Sequence, residues 1–506
     1  MKSSYLDDLR LSATSATSAP SATTTAAAAA NPAADHAPVR DLYFNLYNNP
    51  DASKAAGQAY LDHQIAAVQA IPSDLPASLD DLTAWMIERT EAVGAEYRDY
   101  LAARKHGAPR RYFSNRAHAL YFIKAVAPTK LVDGSWLYGL LRHWDNPDFH
   151  PLIKTYLEEL GDGAPDKNHV TIYRKLVAVH ACDGWQQLDD SHFVQGAIQL
   201  ALANNGDDYL PEVIGFNLGY EQLPLHLLIC SYELNELGID PYYFTLHVTV
   251  DNASNGHAAK AVDALKNLMP RIGDSGDFYR RVIDGYRLNE LGASTNSTIA
   301  SFDLDAELTG IMAAKSVAGK NMHSDYCRVA GRSINDWLGA PDNVPSFMQA
   351  LEKAGWITRG ADAGQSRFWG LIQGEKAEMF GVFSPYEQQV LRDWIATPRG
   401  SDTDAAEPQD ATEQPRVLSH RARQRMLANV SQMSRDGEHP QRGLIRRHAG
   451  QEATGASELH LLEQRIADMP NKQQAMALLA TLMAPDSHHS AVGLMATRMY
   501  SQLLDH

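Results

Sequence analysis

Leu218-Gly219-Tyr220-Glu221-Gln222-Leu223, followed by Leu225 and Leu228, places an acidic residue inside an apolar pattern. Leu218 lies three residues before Glu221, and Leu225 and Leu228 lie four and seven after it, intervals that share one face of an α-helix. A helix is therefore expected over Tyr209–Leu237, with the carboxylate on its apolar stripe. An ionised carboxylate buried alone is costly, so Glu221 needs a metal, a cation or a proton beside it.

Downstream, Tyr243-Phe244-Thr245-Leu246-His247-Val248-Thr249-Val250-Asp251 reads as the next helix. His247 and Asp251 are four apart, which projects an imidazole and a carboxylate from one face toward one cation. Upstream, Leu157-Glu158-Glu159-Leu160-Gly161-Asp162-Gly163 ends a helix, and His169 begins another after a Gly/Pro break, so Glu159 and His169 can converge although ten residues separate them. Taken singly, Glu221 reads as a salt-bridged glutamate, His247 as a hydrogen-bonded core histidine and Glu159 as a solvated one. Taken together, carboxylates and histidines on successive helices of an α domain are what a carboxylate-bridged two-metal bundle site requires.

Around this region the chain divides by composition. Residues 1–40 are dominated by Ala, Ser, Thr and Pro and are expected to form a disordered arm. Helical periodicity predicts an N-terminal helical extension over 41–110 and a main helical domain over 111–292. Residues 293–398 read as a connecting helix and a small α+β appendage, with helices over Val344–Trp356 and Tyr386–Ile395 and short strands over Ser366–Ile372 and Glu378–Phe383. A polar linker over 399–456 leads to C-terminal helices over 457–506, whose apolar side, including Met476, Leu479 and Met483, suits docking onto the body or a homodimer contact.

The net charge of -16, from 45 Lys and Arg against 61 Asp and Glu, repels phosphate backbones and anionic lipid headgroups, so no nucleic acid or membrane partner is expected. Cys182, Cys230 and Cys327 lie far apart without a CxxC pair, which excludes a disulfide framework and a thiolate zinc site and fits a reducing cytoplasm. No stretch approaches the roughly 20 apolar residues of a membrane span, and no secretory h-region is read near the N-terminus. Walker-type, GxGxxG and HExxH motifs are absent.

The run from Glu159 to Gly163 with His169, then Gly219-Tyr220-Glu221, then His247 to Asn252, resembles the haem-oxygenase-like di-iron oxidase and oxygenase superfamily over roughly Tyr112 to Gly292. The resemblance implies a mainly α, haem-oxygenase-like helical bundle of seven helices, with Glu159, His169, Glu221, His247 and Asp251 as metal ligands. It implies two Fe(II) ions, O2 as co-substrate, and oxidation of a small amine, amino acid or aliphatic acid by N-oxygenation or C–C cleavage. Two departures stand out. The family's third motif commonly carries a histidine three residues after the aspartate, where this chain has Ser254. The next histidine is His257, about 80° from His247 on a regular helix; a break at Asn255-Gly256 would swing it inward as a ligand. The first core helix, Phe122–Leu140, contains no glutamate, and Asp133, its acidic candidate, reads more simply as a turn or cap beside Gly134. One iron is then expected to be labile. A rival reading is a non-catalytic helical scaffold for a protein partner, because more than half of the chain lies outside the motif region; haem binding by fold analogy is weaker.

Overall fold

The computed structural model describes residues 38–250, 256–271, 273–398 and 458–505. Helices α1 (Val39–Asn48), α2 (Pro50–Val68) and α3 (Leu82–Lys105) precede the central set: α4 (Arg116–Ala125), α5 (Ala127–Lys130), α6 (His150–Glu159), α7 (His169–His180), α8 (Val194–Asn205), α9 (Leu210–Tyr220), α10 (Leu225–Glu236), α11 (Tyr242–Val250), α12 (His257–Leu268) and α13 (Ser275–Arg287). Next come α14 (Thr295–Ala300), α15 (Leu304–Gly319), α16 (Ile334–Trp337), α17 (Val344–Lys353), α18 (Arg367–Ile372) and α19 (Pro385–Ala396), then α20 (Lys472–Leu482) and α21 (Ala491–Asp505). Among the described residues the β structure is one antiparallel pair, β1 (Arg328–Val329) with β2 (Arg332–Ser333), in which Arg328 faces Ser333. No helix of the described residues is long and apolar enough to cross a membrane.

Local chemistry sets the helix ends that matter. Asn115 and Asn168 cap α4 and α7 by accepting from the backbone N–H groups of His118 and Thr171. Pro151 and Pro211 occupy the first turns of α6 and α9, where a missing N–H costs nothing. The helix expected over Tyr209–Leu237 is in fact two, because Pro224 disfavours helical backbone at Leu223 and lacks the donor a continuous helix would use. Glu221 therefore stands at the end of α9, not mid-helix. The expected first core helix is likewise broken: the chain turns at Asp133-Gly134, with Gly134 at φ +78°, and continues as a 3-10 helix over Ser135–His143.

The two strands expected in the appendage are not formed. Residues 367–372 are α18, which buries Phe368, Trp369 and Ile372 at helical spacing. Residues 378–383 are a turn that leaves Phe380 and Val382 exposed. The expected linker and most of the N-terminal arm lie outside the described residues.

Two apolar cores result. One gathers α1–α3, the 3-10 helix, α6, α8, α9, α12, α13 and the C-terminal helices around Trp136, Tyr156, Phe193 and Phe216. The other gathers α4, α7, α10, α11 and the elements from α14 to α19 around Phe113, Tyr173, Phe244 and Trp394. The closest helix crossing is α9 on α13, where a Cβ on Gly285 would lie 2.2 Å from the backbone oxygen of Glu212.

Candidate metal centre

Five helices and one turn deliver acidic and imidazole groups to one buried place. The positive φ of Gly134 turns the chain so that Asp133 faces inward, and a side chain at 134 would strike Glu159, its Cβ lying 2.9 Å from Glu159 Cβ. Glu159 ends α6, His169 opens α7, Glu221 ends α9, His247 sits in the last turns of α11, and His257 opens α12. All six are buried.

Their donor atoms form two sets, each within 4.8 Å: Asp133, Glu159, His169 and His247 in one, Glu159, Glu221 and His257 in the other. Glu159 belongs to both. Its Oε2 is 2.5 Å from His169 Nδ1 and its Oε1 is 3.2 Å from His257 Nδ1. Asp133 Oδ2 lies 3.3 Å from His247 Nε2 and 3.8 Å from His169 Nδ1, and Glu221 Oε2 lies 3.1 Å from His257 Nδ1. His169 Nδ1, fully buried, has no hydrogen-bond geometry to any partner despite the close Glu159 oxygen. A fully buried imidazole nitrogen left unpartnered among crowded carboxylates suits a shared cation, so the residues fit a metal pair.

Outer contacts fix which imidazole nitrogens face the centre. His247 Nδ1 is 2.8 Å from the Tyr243 carbonyl, which can only accept, so Nδ1 carries a proton and the ring turns its Nε2 toward Asp133. His257 Nε2 is 2.9 Å from Glu158 Oε2, leaving Nδ1 for Glu159 and Glu221. Lys260, one turn further along α12, pairs with the other Glu158 oxygen. On the opposite side, Tyr220 and Tyr243 donate to the two Asp133 oxygens at 2.8 and 2.5 Å, and Lys130 Nζ donates to the Tyr220 hydroxyl at 2.7 Å.

Charges respond to this packing. Burial alone would raise the Asp133 carboxyl, yet Lys130 and the neighbouring His169 and His247 hold it well below the usual carboxylate range. Glu159, against the same burial penalty, is held at about 2 chiefly by the charge of His169. For His169, burial lowers the pKa, but the Glu159 charge and the contacts with Asp133 and Glu159 raise it to about 10. In the metal-free chain a proton thus stands where cationic charge is needed.

A cleft of about 460 Å³ reaches the centre at His247, Lys130 and Tyr220. Its walls near that end are apolar, with Phe122, Val126, Leu227 and Phe244, while Arg89 and Glu290 also border it.

Of the residues expected from sequence, the structure brings together Glu159, His169, Glu221, His247 and His257. Asp251 lies outside the described residues. Asp133, read from sequence as a cap, is instead 1% exposed within the cluster. His257 arrives because a new helix starts at it, so its angle from His247 on one continuous helix is irrelevant. Sequence reasoning misses Glu158 and Lys130, and it reads Tyr220 and Tyr243 chiefly as packing residues.

Residues 120–286 match the family model of iron-containing redox enzymes, and this segment holds all six clustered residues. The match, which covers residues 120–286 alone, supports a haem-oxygenase-like fold for this segment and suggests an oxidoreductase role. No curated protein and no solved structure matches the chain significantly.

Proposed function

We propose that the protein is a non-haem di-iron oxidase or oxygenase that uses O2 to oxidise a small amine, amino acid or aliphatic acid in the cytoplasm, by N-oxygenation or C–C cleavage. The observation that carries this reading is Glu159, whose two oxygens face two separate ligand sets. Asp133, His169 and His247 would hold one iron, Glu221 and His257 the other, and Glu159 would bridge them. Bound iron would supply the electrons and Lewis acidity that dioxygen reduction needs.

The chain's own groups have separable tasks. Tyr243 and Tyr220 keep both Asp133 oxygens oriented, and burial together with the Asp133 charge keeps both phenols protonated at neutral pH. Tyr243 O holds the His247 ring, and Glu158 holds the His257 ring. Phe122, Val126, Leu227 and Phe244 exclude water from the inner cleft and suit the apolar body of a substrate, while Lys130 and Tyr220 offer polar contacts at its inner end. The three cysteines are free thiols, in keeping with a reducing compartment. A scaffold that only presents helices to a partner has no use for three clustered, buried carboxylates.

The test is anaerobic reconstitution with Fe(II), followed by metal analysis and oxygen uptake. Wild type should retain two irons, and Glu221→Ala and His247→Ala, each depleting one set, should lose about one ion each and most oxygen uptake. Unaltered iron content in both variants would refute the assignment. A panel of amines, amino acids and aliphatic acids should contain at least one member that accelerates oxygen consumption.

A further inference from the structure

The loop between Glu159 and His169 is held from a distant part of the chain. Asn168 spends its whole amide there: Oδ1 accepts from Thr171 N–H at 2.9 Å, and Nδ2 donates to Leu160 O at 3.2 Å and to His488 Nδ1 at 3.1 Å. One side chain thereby joins the residue after Glu159 to the residue before His169. His488 lies between α20 and α21 and is 1% exposed. Because Asn168 donates, His488 Nδ1 must be an acceptor, and burial holds this imidazole neutral, at about 3. The same hairpin grips the loop again where Arg498 Nε donates to Gly163 O at 3.1 Å, and it grips α6 where Tyr156 OH donates to Met483 O at 2.6 Å. None of these hairpin residues falls within the segment 120–286 that matches the redox family.

We propose that the C-terminal hairpin is a positioning element of the metal centre, in which His488 fixes Asn168 and, through it, the backbone ends that carry Glu159 and His169. The inference rests on the metal-site reading above. His488 touches neither set of ligand donors and is a positioning residue, not a catalytic one.

The full chain should be compared with His488→Phe, which keeps a ring but has no acceptor, and His488→Asn, whose Oδ1 can replace Nδ1. Asn168→Ser keeps the helix cap and loses both donated bonds. Tyr500→Phe serves as a control, because Tyr500 OH donates to Leu141 O in the same hairpin but away from the ligand loop. The readouts are anaerobic Fe(II) affinity by chelator competition, the ligand-field spectrum of bound Co(II), and thermal melting. His488→Phe and Asn168→Ser should bind Fe(II) about tenfold more weakly, the lower end for a lost outer-sphere partner, with an altered Co(II) spectrum. His488→Asn should restore both readings, and Tyr500→Phe should lower the melting temperature alone. Wild-type affinity in a folded His488→Phe, or in Asn168→Ser should the former not fold, would overturn the proposal, as would equal weakening in His488→Asn and Tyr500→Phe. If wild type itself binds no Fe(II) or Co(II), the metal-site reading fails instead.

Discussion

Replacing Glu159 by Gln should change how many protons the first metal ion expels. His169 sits against Glu159 Oε2 at 2.5 Å, and although burial lowers its pKa, Glu159 and Asp133 together raise it to about 10. At pH 7 the metal-free protein therefore carries an imidazolium, which an incoming cation must deprotonate. Three pH units at ~1.4 kcal/mol each give a penalty of about 4 kcal/mol, written into the measured affinity. Two consequences follow for wild type. Binding of Co(II) or Fe(II) to the set containing His169 should release about one proton near pH 7, and apparent affinity should rise about tenfold per pH unit between roughly pH 6 and pH 7.5. In Glu159→Gln only Asp133 remains to oppose burial, so the His169 pKa should fall and proton release near pH 7 should drop below the wild-type value. A pH indicator in weakly buffered solution reads the released proton, and the imidazole signals of the metal-free protein read the titration directly by NMR. A wild-type His169 that titrates in its ordinary range, with metal binding that releases no proton, would defeat the claim that protons and metals share this place.

Two further outcomes concern stability. In the metal-free protein, His169 is raised in the folded state, so its contribution is full below about pH 6.5 and is lost as pH climbs toward about 10; Glu159 is lowered, so its contribution is full above about pH 4.5 and is lost as pH falls toward about 2. Urea melts should place the pair's full effect between those limits, and Glu159→Gln should flatten both flanks. At the α9–α13 crossing, Gly285→Ala forces a methyl to 2.2 Å from Glu212 O, so the helices must part, at a cost of about 1–3 kcal/mol or more in a denaturation series; an unshifted midpoint would mean that the crossing is looser than described.

What could be read from the sequence was whatever local spacing encodes. Glu221 and His247 are legible from helical spacing among apolar residues, and Glu159 and His169 from the Gly/Pro break that ends one helix and begins the next between them. Asp133 was misjudged because an Asp-Gly pair looks alike whether its turn faces water or a core; only tertiary packing, Gly134 against Glu159, decides which. Tyr243, four before His247 on one helical face, and Lys130, three before Asp133, stand at spacings that local sequence does encode. Glu158 was hidden beside its neighbour, since adjacent helical residues do not share a face and its role depends on α12 arriving from a hundred residues away. The appendage strands failed because short apolar runs carry too few residues to separate a period of 2 from one of 3.6.

The centre lies on the seam between the two apolar cores. Leu131 belongs to one core and Val132 to the other, immediately before Asp133. Leu160 and Ala258, beside Glu159 and His257, belong to the first; Tyr173 and Tyr243, one turn from His169 and His247, belong to the second. A charged cluster in that position costs several kcal/mol per unpaired ion. The seam must then be held shut from both outer sides. On one side that cover comes from α1–α3 and the C-terminal hairpin, on the other from the helices after α13, all of which pack into these same cores. The length beyond the matched segment therefore has a physical reason: it supplies apolar burial that offsets the cost of keeping acidic groups and imidazoles together in a dry interior. The remaining cost is electrostatic, met by protons and Lys130 in the metal-free chain and, on the reading proposed here, by iron in the working one.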